Sequence, residues 1–298
     1  ASQVVNTNWG QTLGHDAEDL RKASQLRDEP DILEAYARYF VAFVKAYARE
    51  GITIEAVHPQ NEMFAAQIFP SCLWEKELLV RFLADYLCPA FEEAGLDTEI
   101  WAGTFNNDDR NYAEWVLNHP RLKGRLSGAG FQWKAKTYLE ELVYPEGLKL
   151  MQTESECHNG TNNWETAAMT FDLLCHYFRA GVNAYMYWNL ALDEWGLSQW
   201  GWRQNSLVSI HHSEGSISLN PDFQAMRHFS GLVDTGAWYL PVESDLPAAA
   251  FLNPDGSIIV NVRNPSSESV GLAVELGNGT QDCLLEPQAF LSLRFEKV

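Results

Sequence analysis

Cysteine is scarce in this chain. There are five in 298 residues, Cys72, Cys88, Cys157, Cys175 and Cys283, an odd number with no CxxC pair. That spacing supplies neither a disulfide framework nor a thiolate metal centre. It fits reduced, mostly buried thiols. A long uninterrupted apolar run is also missing, which excludes a membrane-spanning helix, and no signal peptide is visible. Together these absences favour a cytoplasmic over a secreted protein. Basic residues are few, 21 Lys and Arg against 40 Asp and Glu, for a formal charge of -19. Such a surface repels phosphate backbones and anionic lipid, so nucleic acid and membrane are not expected partners. A neutral substrate is favoured, although solubility alone accounts for most of the acidic surface.

What is present is an ordinary globular composition, 46% hydrophobic and 20% charged, enough for one large domain and a small one. Eleven Trp and eleven Tyr are many for this length. Aromatic rings stack on the apolar faces of sugars, and they also fill cores.

One stretch organises the chain: Ile54-Glu55-Ala56-Val57-His58-Pro59-Gln60-Asn61-Glu62. A β-branched start reads as a strand, and Pro59, with no N–H for a ladder, ends it. The polar tail places a carboxylate at the strand's C-terminal end, where parallel α/β barrels keep their chemistry. Leu148-Lys149-Leu150-Met151-Gln152-Thr153-Glu154 repeats the design. Two strands tipped by Glu suggest the paired carboxylates that cleave glycosidic bonds.

Around these strands the pattern alternates. Helical spacing covers 31–50, 74–94, 111–117 and 164–179, with Gly51, Gly95 and Gly181 as stops. Strands are expected at 98–103, 126–132 and 184–190. Alternating strands and helices imply βα units and a parallel sheet. From about Gly231 short alternating strands take over, at 248–252, 257–263, 269–276 and 290–296, as in an antiparallel β-sandwich. The expected division is 1–230 for a partial (β/α)8 TIM-type barrel and 231–298 for the sandwich. Five parallel strands are legible, six with residues 3–7, and a closed barrel needs about eight.

Three ordered motifs carry a family resemblance. Gln60-Asn61-Glu62 is similar to the Gln-Asn-Glu-Pro signature of glycoside hydrolase family 30, with Met63 in place of the Pro. Gln152-Thr153-Glu154 resembles the Thr- or Ser-preceded Glu closing that family's seventh barrel strand. Trp188-Asn189-Leu190-Ala191-Leu192 matches the run after its eighth. The resemblance implies a retaining β-glycosidase acting on a β-glucoside, β-xyloside or β-fucoside, without cofactor or metal. It makes Glu62 the acid/base, protonated at rest, and Glu154 the ionised nucleophile. Asn61 would bond the sugar 2-hydroxyl. By position, Gln132 and Trp133 line the same mouth; Trp188 offers a ring to the sugar face and Asn189 a contact to a hydroxyl or the backbone. Trp101, Asn107 and Asp108 are weaker candidates.

Each residue has a plainer reading beside this one. A Glu at a strand end can be solvated or salt-bridged, and Trp188 can belong to a core. Glu156 competes with Glu154 because it would share its face if the strand continued. His58 reads as structural and His211-His212 as a loop pair. The family's Trp-Ser-Pro-Pro-like stretch is not visible, and residues 1–30 diverge. An open parallel sheet exposes edges, so a homodimer or higher homo-oligomer covering the opening is expected. The alternatives are a carbohydrate-binding protein of weakened catalysis on the same fold, and another retaining family of the same barrel clan.

Overall fold

The computed structural model describes residues 25–66, 71–198, 201–277 and 279–296. The strand expected at 3–7 lies outside them. By its contacts the chain falls into two compact units, Ala1–Glu154 and Ser155–Val298.

In the first unit, α1 is Pro30–Arg49. Pro30 suits the first turn because its missing N–H has no helical partner there, and Asp31 and Arg49 complement the helix dipole at the two ends. The helix buries Leu33, Ala37 and Val44. Strand β1, Ala56–Val57, is shorter than the expected 54–60. Pro59 interrupts the ladder as anticipated, yet Thr104 N donates to Gln60 O at 2.7 Å beyond it. Helix α2, Lys76–Arg81, passes through a π-helical segment, Phe82–Leu87, into α3, Cys88–Ala94. Pro89 sits just after this widening. A proline cannot donate to the fourth residue back and its ring crowds that carbonyl, a conflict that a wider turn relieves.

Next come β2, Glu99–Phe105, α4, Arg110–Leu117, β3, Gly128–Gln132, and β4, Lys149–Glu154. The side chain of Asp109 caps α4 by accepting from Tyr112 N at 3.2 Å. These strands run parallel in the order β1-β2-β3-β4. Every residue of β3 is buried, and its glycines make room for two rings. A Cβ on Gly128 would stand 2.4 Å from the Trp101 ring, and one on Gly130 would stand 2.6 Å from His58 Cε1. Burial lowers the pKa of His58 to about 4. It is therefore a neutral ring set against Trp101, with centroids 5.7 Å apart.

The second unit begins with α5, Trp164–Arg179, capped by Asn163, whose side chain accepts from Thr166 N at 3.0 Å. Strand β5 is only Ala184–Tyr185. The run expected to 190 ends at Tyr185, and the next strand is β6, Ala191–Asp193. That strand joins β7, Val208–His211, and β8, Ser216–Leu219, in a three-stranded sheet that periodicity did not announce. His211 thus closes a strand rather than lying in a loop, and its Nε2 meets Ser218 Oγ at 2.9 Å. Helix α6, Pro221–Ser230, follows.

The remaining strands are β9, Trp238–Leu240; β10, Ala248–Leu252; β11, Ile258–Arg263; β12, Val270–Leu276; β13, Gly279–Leu285; and β14, Phe290–Phe295. They form two antiparallel sheets, β14-β11-β10-β9 and β12-β13. Four of them were legible. Strand β9 is three residues long, and β13 is mostly exposed, with no apolar alternation to read. Phe171 and Leu174 of α5, Phe229 of α6 and Phe251 of β10 share one core. Burying each such side chain contributes about 1.5–3 kcal/mol. Arg263 of β11 adds a two-pronged pair to Asp172 of α5, at 2.8 and 2.5 Å. These helices and the sandwich strands therefore share one interior.

Candidate active site

The residues after β1 turn sharply. Glu62 takes φ +48°, the left-handed region that non-glycine residues rarely adopt. Two hydrogen bonds hold it there: Glu62 N donates to Thr104 Oγ1 at 3.1 Å, and Ala65 N donates to Glu62 O at 2.9 Å. Thr104 lies near the C-terminal end of β2 and in turn donates to Asn61 Oδ1 at 3.2 Å.

On the other side, the β3–β4 register slips between Phe131 and Gln132, so that Gln132 stands opposite Glu154. Such a slip bends a strand and re-aims its side chains. Gln132 is fully buried. Its Nε2 donates to Asn61 Oδ1 at 2.8 Å and to Glu154 Oε2 at 3.0 Å, with Thr104 Oγ1 at 3.3 Å. One amide thus ties the ends of three strands together. Asn61 Oδ1 accepts from both Thr104 and Gln132.

The two carboxyls titrate under different influences. Burial raises the pKa of Glu62, and the ammonium of Lys134 pulls it back. Burial pushes Glu154 further, to about 7, and the charge of Glu62 adds to that rise. Two carboxyls that feel each other lose their protons as a pair. The pair therefore holds a proton close to neutral pH. Gln132 donates to the charged form of Glu154, and such a bond favours ionisation there. The form suited to acid catalysis and nucleophilic attack has the proton on Glu62.

Asn61, Glu62, Gln132 and Glu154 are brought together within the first unit. Gln132, expected to touch substrate, spends its amide inside the protein instead. Trp133 is half-buried and opens a short helical turn, Trp133–Thr137, directly after β3. Trp188 and Asn189 fall in the second unit. Trp188 is 44% exposed, and its backbone N donates to Ser155 Oγ at 3.0 Å. Asn189 Nδ2 is spent on Gln204 Oε1 at 2.9 Å and Asn205 O at 3.3 Å. Strand β4 ends at Glu154, so Glu156 does not share its strand face. Thr104 was missed, although a hydroxyl closing the apolar run 100–103 is a legible signal. Among the described residues, no group of three or more His, Cys, Asp or Glu is disposed to hold a metal ion, and no helix is long and apolar enough to cross a membrane.

Parallel strands that deliver two carboxyls from their C-terminal ends, followed by an antiparallel sandwich, define a barrel-type α/β architecture with an appended β-sandwich. Comparison with known proteins narrows the class. Residues 237–293 match the glycosyl hydrolase family 30 beta sandwich domain. The chain is 28% identical over 261 residues to the endo-1,6-beta-D-glucanase neg1 of Aspergillus fumigatus, covering 82% of this chain and 52% of that protein. It is 27% identical over 306 residues to the lysosomal acid glucosylceramidase of Mus musculus, covering 92% and 58%. Among solved structures, SrfJ from Salmonella typhimurium superposes with a TM-score of 0.83 at 22% identity, over 92% of this chain and 64% of that one. An endo-beta1,6-glucanase gives 0.80 at 25% identity, over 92% and 66%. The chain spans about half the length of the curated relatives it matches. These likenesses bear out the resemblance carried by the three motifs: the chain is related to glycoside hydrolase family 30, with an incomplete barrel layer and a β-sandwich.

Proposed function

We propose that this chain carries the catalytic carboxyls of a retaining β-glycosidase. Glu62 protonates the leaving oxygen, Glu154 attacks the anomeric carbon to form a glycosyl-enzyme, and Glu62 then takes a proton from the water that releases the sugar. Asn61 donates its side-chain amide to the sugar 2-hydroxyl, a bond that strengthens as positive charge develops on the ring. A β-linked glucosyl unit is the favoured substrate, since the relatives named above are glucanases and a glucosylceramidase.

The observation that carries this reading is the single Gln132 amide linking Asn61 to Glu154 while the charge of Glu62 faces Glu154. A carboxyl placed only for a surface ion pair would have neither the burial nor the second carboxyl beside it. The test is hydrolysis of a panel of nitrophenyl β-glycosides and a β-1,6-glucan by the parent, Glu62→Gln and Glu154→Gln. Cleavage by the parent that both variants lose supports the mechanism. A folded parent inert on every substrate refutes it and favours the carbohydrate-binding alternative. The proposal retains the homo-oligomer, because β1 ends the described parallel sheet as a short open edge. Sedimentation as a monomer at every concentration would remove that part.

A further inference from the structure

Outside the carboxyl pair, a fully buried polar cluster lies in the second unit and centres on two residues that no motif contains. Asn205 and Asp222 are both 0% exposed. Asn205 uses every polar atom it has. Its N donates to Cys157 O at 2.7 Å, and its Oδ1 accepts from Gly160 N at 2.8 Å and Asn162 N at 3.4 Å. Its carbonyl accepts from Asn189 N at 3.4 Å and Asn189 Nδ2 at 3.3 Å. Its Nδ2 donates to Thr166 Oγ1 at 2.9 Å and Asp222 Oδ2 at 3.3 Å. Asp222, in the first turn of α6, meets Thr170 Oγ1 at 2.7 Å and Thr166 Oγ1 at 3.1 Å. His158 Nε2 stands 3.9 Å from the same carboxylate.

The chain order gives this cluster its meaning. Segment 155–162 leaves Glu154, and Trp188-Asn189 is the run matched by the third motif. Asn205 is bonded to both, and Asp222 anchors Asn205 against the starts of two helices. We propose that Asn205 and Asp222 are positioning residues, which set the turn after the nucleophile and the Trp188–Asn189 segment in one fixed arrangement. This rests on the glycosidase reading for its consequence in activity, but not for its consequence in local order. A buried amide whose donors meet a buried carboxylate is sensitive to exchange of either group, because a wrong pairing leaves like charges or an unmatched amide in a dry site.

That sensitivity supplies the test, a swap of the two groups. Asn205→Asp sets two carboxylates against each other, and Asp222→Asn removes the charged acceptor. In N205D/D222N the amide at position 222 donates to the carboxylate at position 205, and a matched pair returns. Each single variant is expected to raise KM for a nitrophenyl β-glycoside about tenfold or more, with a smaller loss in kcat, and the double variant to recover most of that change. Hydrogen exchange should quicken in 155–162 and 186–192 in each single variant and slow again in the double. A double variant no better than the worse single, or singles with parental KM and exchange, overturns the proposal. Should the singles not fold, Thr166→Val removes the hydroxyl shared by both residues; faster exchange in both segments is expected, and parental exchange overturns the proposal. A parent inert on every glycoside defeats the glycosidase reading alone, because the exchange experiment still decides whether the pair holds the two segments.

Discussion

Replacing Glu62 by glutamine removes the charge that faces Glu154 and keeps the side-chain shape. Glu154 must be ionised to attack, so the acid limb of kcat/KM follows its pKa, which burial and then the Glu62 charge raise from the ordinary 4.5 to about 7. Burial is the larger of the two causes. The charge of Glu62 therefore accounts for less than half of the rise, and its removal should move the acid limb down by at most about one pH unit. It should not return the limb to the ordinary carboxylate range. The assay needs a substrate whose leaving group departs without protonation, so that loss of the acid does not hide the nucleophile. A dinitrophenyl β-glucoside meets that condition. With it, the parent should lose rate below about pH 7, and Glu62→Gln should hold its rate further into acid. An acid limb that stays in place or moves upward would refute the reasoning, since it would mean that the Glu62 charge does not reach Glu154.

Three further outcomes follow from the same arrangement of residues. Gln132→Leu removes the donor to Glu154 Oε2 and Asn61 Oδ1; a hydrogen bond to a charged group contributes about 1.5–3 kcal/mol, so kcat should fall about 10- to 100-fold with the fold intact by circular dichroism. A parental kcat would show that the amide does not act on the nucleophile. Gly130→Ala places a Cβ 2.6 Å from His58 Cε1 and 2.9 Å from Thr153 Cγ2; one of these side chains must shift, so a loss of about 1–3 kcal/mol in urea unfolding is expected, and an unchanged midpoint would count against the packing described. Glu154→Gln should stabilise the protein in a pH-dependent way. A carboxyl whose folded pKa lies above its unfolded value costs nothing below about 4.5, and its cost grows to about 3 kcal/mol as pH passes 7. The melting temperature of this variant should therefore exceed the parent's by several degrees at pH 8 and match it near pH 4.5; equal values at pH 8 would contradict the burial of this charge.

Legibility in the sequence followed the strength of the local signal. Helices with an apolar stripe and a glycine stop were read to within a residue or two, as at Pro30–Arg49 and Trp164–Arg179. Strands with β-branched alternation, such as Ala248–Leu252 and Ile258–Arg263, were equally plain. The strands that failed lacked that pattern. Ala184–Tyr185 stops early, and the aromatic run that follows it makes no ladder. The β6-β7-β8 sheet is built from strands of only three or four residues, one of them largely serine and isoleucine with its side chains exposed. At the candidate site, the two glutamates and Asn61 were visible because polar residues ended apolar runs. Thr104, Asn205 and Asp222 act through partners 42, 39 and 56 residues away in the chain, and no periodicity encodes such pairings.

The way these residues depart from local preference also bears on the reading. Glu62 sits at positive φ, where asparagine or glycine would cost less. Glu154 carries a carboxyl that burial keeps from ionising freely. Gln132 is fully buried with its Oε1 left without a partner among the described residues, and an unmatched buried acceptor costs about 1–3 kcal/mol. Each departure taken alone is an ordinary imperfection of a folded chain. All three belong to one network spanning β1, β2, β3 and β4, and the rest of that sheet, with its glycines fitted to Trp101 and His58, follows the rules of packing closely. Departures concentrated at one mouth in an otherwise consistent sheet are what a functional site produces, because there the chemistry of the groups outweighs their contribution to stability. If that is the cause, substitutions that relieve the strain, Glu62→Asn and Glu154→Gln among them, should raise the melting temperature while abolishing hydrolysis. Variants that lose both together would show that the network is structural.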